Sequence, residues 1–402
     1  MAGLVIKPRA RIFHGHDWVY ASEVLKAFGD PQPGAVVSLK DGRDRPLGSA
    51  IYNPASQIVA RRFSRQRQDL GLDFFRRRIA LAAKLRRQRG FDLSKRPCRL
   101  VWSESDGLPG VIVDRYGPVL VLQTLTRAMD ERKSVIAAAL VAELAPRAIL
   151  ERNDAPVRRA EGLEILAPAV LHGEAPDAVE IALATAAGGS DADDLRFALD
   201  LLKGHKTGFY LDQVENYALV AAHARGRRVL DCFTNQGAFA LFCARAGAAS
   251  VTAVEASADA LTAARANAGR NALPDIQWVE GNVFDFLPAE ERRGSHYDLI
   301  ILDPPSFTKT KGRRDDAMRG YKEIHLRALK LLAPDGLLAT FCCAHHVGDA
   351  AFREIVAEAS VDAQRSLRVL RRFSQSTDHP IVLTIPETEY LHGYLFEAMP
   401  GR

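Results

Sequence analysis

The chain has 402 residues, 47% of them apolar and 26% charged, with a formal net charge of +5. Roughly two or three globular domains are expected from that length and composition. No run approaches the roughly 20 apolar residues of a membrane helix, so no membrane association is expected. The first residues lack the apolar core of a secretory signal. The five cysteines (Cys98, Cys232, Cys243, Cys342, Cys343) contain no CxxC pair, so neither a zinc site nor a disulfide framework is indicated and a reducing cytoplasm fits.

In chain order, the first seventy residues read as short strands, such as Val36–Leu39 and Ile58–Phe63, separated by the turns Asp41–Asp44 and Tyr52–Pro54. A small β-barrel over residues 1–70 is expected. Asp73 to Arg89 shows helical spacing, with Phe74, Phe75, Ile79, Ala82 and Leu85 on one side. Around this helix the charge is lopsided. Arg61, Arg62, Arg65, Arg67, Arg76, Arg77, Arg78, Lys84, Arg86, Arg87 and Arg89 face only Asp69 and Asp73. Such an excess suits a polyanion, with Arg76, Arg77 and Arg78 as candidate phosphate contacts. A solvated basic helix face explains it equally well.

Strand candidates follow at Leu100–Trp102, Val111–Val113 and Val119–Leu122, then a helix from about Glu131 to Leu144 and a strand at Ala148–Leu150. A middle α+β domain is expected over residues 71–190, closed by a linker at Ala186–Asp191. The last domain is expected over residues 191–402, with Leu195–Leu202 as its lead-in strand.

From Arg228 the pattern alternates strand and helix. Val229–Asp231, Ser250–Glu255, Ile276–Val279 and Tyr297–Asp303 are strands, with helices at Gly237–Ala246 and Ser257–Gly269. The fourth strand is an almost continuous apolar run, as in a sheet covered on both faces. The fold class is α/β: a doubly wound parallel sheet at the C-terminus. Ligands of such sheets bind beyond the carboxyl ends of the strands.

Polar residues stand at those ends in order. Asp231 is followed by Cys232-Phe233-Thr234-Asn235-Gln236-Gly237-Ala238-Phe239, where one glycine lets backbone approach a ligand at a helix N-terminus. Glu255 is placed to accept ribose hydroxyls, and Asn282 to meet an adenine amine. The turn lacks GxGxxG, which argues against a dinucleotide. Asp303-Pro304-Pro305-Ser306-Phe307 ends the fourth strand, and its aromatic is suited to stacking on an unpaired base. Lys309, Lys311, Arg313 and Arg314 follow as candidate phosphate contacts. Cys342 and Cys343 end the fifth strand. Cysteine in a strand usually acts as a small hydrophobe, and alternation lets at most one of the two face the cleft.

Taken with further motifs, these residues resemble the bacterial large-subunit (23S) ribosomal RNA cytosine-5 methyltransferase family with an N-terminal PUA domain. The additional matches are Glu104 to Gly110, Val113 to Gly117, Glu151 to Ala155, Lys206-Thr207-Gly208-Phe209-Tyr210-Leu211-Asp212-Gln213, His345-His346-Val347 and Asp378-His379-Pro380. They span nearly the whole chain. The resemblance implies a PUA-like RNA-binding barrel, a small α+β domain and a Rossmann-like class I methyltransferase domain. It implies S-adenosyl-L-methionine as cofactor, with Asp231, Phe233, Thr234, Gly237, Ala238, Phe239, Glu255, Asn282, Asp303 and Gln213 as its binding residues. It further implies large-subunit ribosomal RNA as partner, for which Phe307, Lys309 and Arg76 to Arg78 are the candidate contacts read above and Lys206, in the matching segment, is another.

Members of the family attack with a cysteine just before the His-His-Val motif, which here aligns with Cys343. The serines that usually flank that cysteine are replaced by Cys342 and Ala344, and Asn282 stands where aspartate is common. Thiolate addition at carbon 6 of cytosine makes carbon 5 nucleophilic, and a carboxyl near N3, assigned to Asp303, stabilises the adduct. A base-nitrogen RNA methyltransferase would need no thiolate. A non-catalytic ribosome-assembly factor would have no use for the intact acidic strand ends. The sequence leaves the oligomeric state open, a homodimer included.

Overall fold

The computed structural model describes residues 2–185, 191–202, 207–273, 275–307, 314–344 and 346–400. The chain divides into two compact units. The first comprises Met1–Ile181, Leu199–Leu211 and Thr377–Thr388; the second comprises Ala182–Ala198, Asp212–Ser376 and Glu389–Arg402.

The first unit starts with β1 (Gly3–Ile6), β2 (Trp18–Tyr20), β3 (Val24–Phe28), β4 (Val36–Asp41), β5 (Pro46–Tyr52) and β6 (Ile58–Ser64), paired in the order β2-β6-β5-β4-β1-β3. Alternation along β4 buries Val37 and Leu39 with Leu4, Ile6, Val19 and Val59. Gly48 in β5 sits at φ +119°, where an added Cβ would lie 2.0 Å from the Ser64 carbonyl oxygen; only glycine lets β6 come this close.

Next come α1 (Leu72–Gln88), β7 (Cys98–Trp102), β8 (Val111–Tyr116), β9 (Val119–Thr124), α2 (Arg127–Asp130), α3 (Lys133–Leu144), β10 (Ala148–Glu151) and β11 (Ala169–Gly173). Their five strands pair as β11-β10-β9-β8-β7. Helix α1 contributes Phe74, Phe75, Ile79 and Ala82 to the same core as Leu120, Leu122, Ile136 and Leu140. Leu85, expected on that face, is only part-buried, whereas Arg86 is fully buried. Its guanidinium makes two hydrogen bonds to Asp106, at 2.6 and 2.8 Å, and donates to the carbonyls of Arg99 and Asp378.

After a two-stranded sheet of β12 (Val179–Leu183) and β13 (Leu195–Leu199) come α4 (Val214–Ala221), β14 (Arg228–Cys232), α5 (Ala238–Arg245) and β15 (Ser250–Glu255). They are followed by α6 (Ala258–Arg270), β16 (Ile276–Glu280), α7 (Val283–Arg293), β17 (Tyr297–Leu302) and α8 (Arg314–Leu331). The chain ends with β18 (Leu332–Cys342), α9 (Asp349–Asp362), β19 (Leu367–Ser374) and β20 (His392–Ala398). Seven strands pair in the order β16-β15-β14-β17-β18-β20-β19. β14 to β18 run parallel, and β20 is antiparallel to both neighbours. The strand order reverses between β14 and β17, and a doubly wound sheet opens its ligand crevice at such a switch point. Asp231 and Asp303 stand there. Among the described residues no helix is long and apolar enough to cross a membrane.

Candidate active site

The loop from Phe233 to Gly237 turns the chain from β14 into α5. Phe233, Asn235 and Gly237 all have positive φ (64°, 48° and 84°). Two of them are not glycine, so surrounding contacts must hold the strained backbone. The Thr234 N–H donates to the Val254 carbonyl at 3.0 Å, and the Asn235 N–H donates to Glu255 Oε2 at 2.9 Å. A Cβ on Gly237 would meet Trp278 Cη2 at 2.9 Å. The loop is thus pinned against the next two strands.

Asp231 is fully buried at the head of this loop. Its Oδ2 accepts from the Thr234 hydroxyl and from the Ala240 N–H, while Oδ1 has no partner among the described residues. Burial, with Asp303 and Glu255 nearby, pushes its carboxyl up to about 7 against the opposing hydrogen bonds from Thr234 and Ala240. Glu255, half-buried at the end of β15, accepts from Asn235 and, through Oε1, from the Ser257 N–H at 2.9 Å. These bonds fix its orientation while leaving lone pairs for ribose hydroxyls.

Asn282 is exposed and caps α7, its Oδ1 accepting from the Phe284 N–H at 3.0 Å. Gln213 is buried; its Oε1 accepts from Asn216 at 2.7 Å, and its Nε2 has no partner among the described residues. Ala238 and Phe239 open α5, and the Phe239 side chain is committed to packing, stacked on Phe341 and edge-on to Tyr217.

Three carboxylates with an unmatched buried oxygen suit a cation, and an unmatched amide donor suits a carboxylate. S-adenosylmethionine carries a sulfonium, an ammonium and a carboxylate, so the donor set fits it. Asp231, Glu255, Asp303 and Gln213 are the residues that would hold it, with the Phe233–Gly237 backbone beneath.

Beyond β17, Asp303 is part-buried and Pro304 buried. The Phe307 ring lies 4.7 Å from that of Tyr321, 5.5 Å from Phe284 and 6.3 Å from Phe233, centroid to centroid. These contacts fix the end of the proline loop and leave Phe307 part-exposed. Cys98, Cys232, Cys243 and Cys342 are buried. Burial raises the Cys342 thiol above its usual range. Cys343 lies just past the end of β18 and is part-open, its Sγ 3.9 Å from the Pro304 carbonyl oxygen. The two cysteines therefore face different surroundings, and Cys343 adjoins the proline loop.

Lys206 and Lys309, expected on the RNA, lie outside the described residues, as do His345 and Lys311. The arginine cluster of the first unit divides in the structure. Arg61, Arg62 and Arg86 pair with Glu104, Asp17 and Asp106 and serve the fold. Arg76 is exposed but paired with Glu143 at 2.7 Å, Arg77 is exposed, and Arg78 is part-buried. The expected unopposed run is thus partly neutralised by acids distant in sequence. Sequence reasoning also missed Asn235, whose amide orients Glu255, and Trp278, which backs Gly237; no local motif marks either.

The fold and the strand-end site define an S-adenosylmethionine-dependent methyltransferase. Residues 185–389 match the family described as S-adenosylmethionine-dependent methyltransferase, and residues 6–65 match a PUA-like domain. A ribosomal RNA large subunit methyltransferase I from Shewanella amazonensis is 39% identical over 381 residues, 94% of each chain. One from Erwinia tasmaniensis is 37% identical over 382 residues, again 94% of each. The fold is shared with a methyltransferase structure from Streptococcus mutans (TM-score 0.83, 21% identity, 99% of this chain and 100% of that one). It is also shared with a methyltransferase structure complexed with SAH (TM-score 0.84, 21% identity, the same coverage). The chain belongs to the ribosomal RNA large subunit methyltransferase I family. S-adenosyl-L-methionine is its methyl donor.

Proposed function

We propose that this protein methylates carbon 5 of a cytosine in large-subunit ribosomal RNA, with Cys343 as nucleophile. The observation that carries the reading is the contrast within the cysteine pair: Cys342 is sealed in the core, whereas Cys343 is part-open beside the Asp303 loop. The names of the relatives supply the RNA, and the PUA-like domain of the first unit agrees with it. Such a substrate places the protein in the cytoplasm.

When bound, S-adenosylmethionine supplies an electrophilic methyl group on a sulfonium. Cys343 Sγ, as thiolate, bonds to carbon 6 of the base, and the displaced electron pair makes carbon 5 an enamine-type nucleophile. Asp303 gives N3 a proton in this adduct and takes it back as the sulfur–carbon 6 bond breaks. Once carbon 5 is methylated, its proton leaves to a base, the sulfur–carbon 6 bond breaks and Cys343 departs as thiolate. Asp231 is drawn into its ionised form by a bound cationic donor, and its burial excludes water from beneath that donor.

RNA carrying 5-fluorocytidine at the target tests this directly, because fluorine cannot leave as a proton. Wild-type protein and Cys342→Ala should trap a covalent adduct, while Cys343→Ala should lose adduct and methyl transfer and keep its S-adenosylmethionine affinity. Full methylation by Cys343→Ala would refute the reading and favour a base-nitrogen methyltransferase. An adduct mapped to Cys342 would move the nucleophile by one residue.

A further inference from the structure

The first unit contains a cavity of about 440 Å³ between the end of β6, one side of α1 and the segment around Asp106 and Gly107. Its acidic residues are already matched. Asp17 pairs with Arg62 at 2.7 Å, Glu104 with Arg61 at 2.8 Å, and Asp106 with Arg86 at 2.6 Å. Two guanidiniums on the wall are not. Arg78 donates to the Phe63 carbonyl at 3.0 Å and lies over the Phe74 ring, with no salt bridge among the described residues. Partial burial, then the neighbouring Arg77, hold its basicity below the usual level against the weaker pull of Asp106 and Asp17, so an added anion is favoured there. Arg65 is exposed and has no ion pair among the described residues.

Apolar side chains line the same cavity. Leu81 is 57% exposed and lines it together with Val382. The next residue, Leu383, is 95% exposed. It stands at the tip of a fixed turn: the Ile385 N–H donates to the Val382 carbonyl at 2.8 Å, and the Val382 N–H donates to the Thr388 hydroxyl at 2.9 Å. A hydrogen-bonded turn that holds a leucine in solvent, directly after a residue lining the cavity, leaves apolar surface open near the two unpaired guanidiniums. Those are the two surfaces a single nucleotide presents, a flat base and a phosphate. The volume lies in the range of small-ligand pockets.

We propose that this cavity seats one unstacked nucleotide of the RNA, its phosphate on Arg65 and Arg78 and its base against Leu81 and Val382. Leu383 acts as the wedge that parts this base from its neighbour, as inserted apolar side chains do in other nucleic-acid complexes. The proposal rests on the reading of the protein as an RNA methyltransferase and adds to it a nucleotide site on residues of the first unit.

The test uses the full chain, a single-stranded RNA oligonucleotide with 2-aminopurine at one position, and the exposed-residue variants Arg65→Gln and Leu383→Ser. Arg65→Gln should weaken binding about fivefold to tenfold and reduce the logarithmic salt slope by about 0.7, the value for one phosphate on a single strand. Leu383→Ser should remove the rise in 2-aminopurine fluorescence that reports unstacking. With isolated large-subunit RNA as methyl acceptor, both variants should raise KM and leave kcat unchanged. Equal affinity, slope and fluorescence in wild type and both variants would overturn the nucleotide site, whether or not the RNA is methylated. Absence of methyl transfer to RNA by wild type, with the oligonucleotide differences intact, would instead overturn the proposed activity and leave the site standing.

Discussion

Acidic side chains are buried in both units, and their surroundings are opposite. In the first unit Asp106 meets Arg86, Asp114 meets Arg99 at 2.8 Å, and the part-buried Asp130 meets Arg158 at 2.9 Å. At the strand ends of the second unit, Asp231 meets other carboxylates and keeps an oxygen without a partner among the described residues. A buried charge with a matching guanidinium holds the fold in one arrangement. A buried carboxyl among like charges costs stability and is relieved by a cationic ligand. The difference separates scaffold from site, although both sets use the same residue types.

The largest expected effect breaks the scaffold side of this comparison. Arg86→Met should destabilise the protein by about 3–5 kcal/mol, because Asp106 and the Asp378 carbonyl lose their buried donor. Urea unfolding measures it, and a loss within experimental scatter would mean that the network is dispensable.

The site side should respond differently. Glu255→Ala and Asp231→Asn should each weaken S-adenosylmethionine binding by about 1.5–3 kcal/mol, the cost of a lost charge-assisted hydrogen bond. Asp231→Asn should leave the ligand-free protein at least as stable as wild type, since it removes a carboxyl whose ionised form is disfavoured. Calorimetry with unchanged affinity would remove the residue concerned from the site.

The raised Asp231 carboxyl gives this contrast a pH signature. Its folded value of about 7 lies above the ordinary 3.8, so between those pH values the folded state binds more protons than the unfolded one. Stability of the ligand-free protein should therefore fall as pH rises through that window. Binding of a cation favours the ionised form, so affinity should drop as pH falls below about 7, with proton release on binding. Heats independent of buffer ionisation across that range would show that Asp231 does not titrate with the ligand.

Much of the second unit was legible because its central strands are covered on both faces and read as apolar runs, Tyr297–Leu302 above all. The edge pair was not. β19 carries Arg368, Arg371 and Arg372 with most of its residues exposed, so it reads as loop, and its antiparallel pairing with β20 joins distant segments. In α1, periodicity located Phe74, Phe75, Ile79 and Ala82, but a hydrophobic pattern has no way to report a buried arginine such as Arg86. At the site, acidic residues at strand ends follow from local sequence. The αL backbone at Phe233 and Asn235, and the amide that Asn235 gives Glu255, depend on contacts between consecutive strands.

The smallest expected effect concerns neighbours on α1 that sequence alone makes equivalent. Arg76 holds Glu143 at 2.7 Å, whereas Arg77 is exposed and has no ion pair among the described residues. Both are open to solvent, so each substitution should change stability by no more than about 0.5 kcal/mol. Their contributions to RNA binding should nonetheless differ. An arginine already neutralised by Glu143 releases fewer counterions from a phosphate than an unpaired one. Arg77→Gln should therefore reduce the logarithmic salt slope of binding by about 0.7–0.9, one phosphate contact, and Arg76→Gln by clearly less. Glu143→Gln should free Arg76 and steepen the slope, and combining Glu143→Gln with Arg76→Gln should cancel that gain. Equal slopes for the two single arginine variants would show that the Glu143 pair opens on binding, and identical slopes for every variant and wild type would leave this face of α1 without a part in RNA recognition.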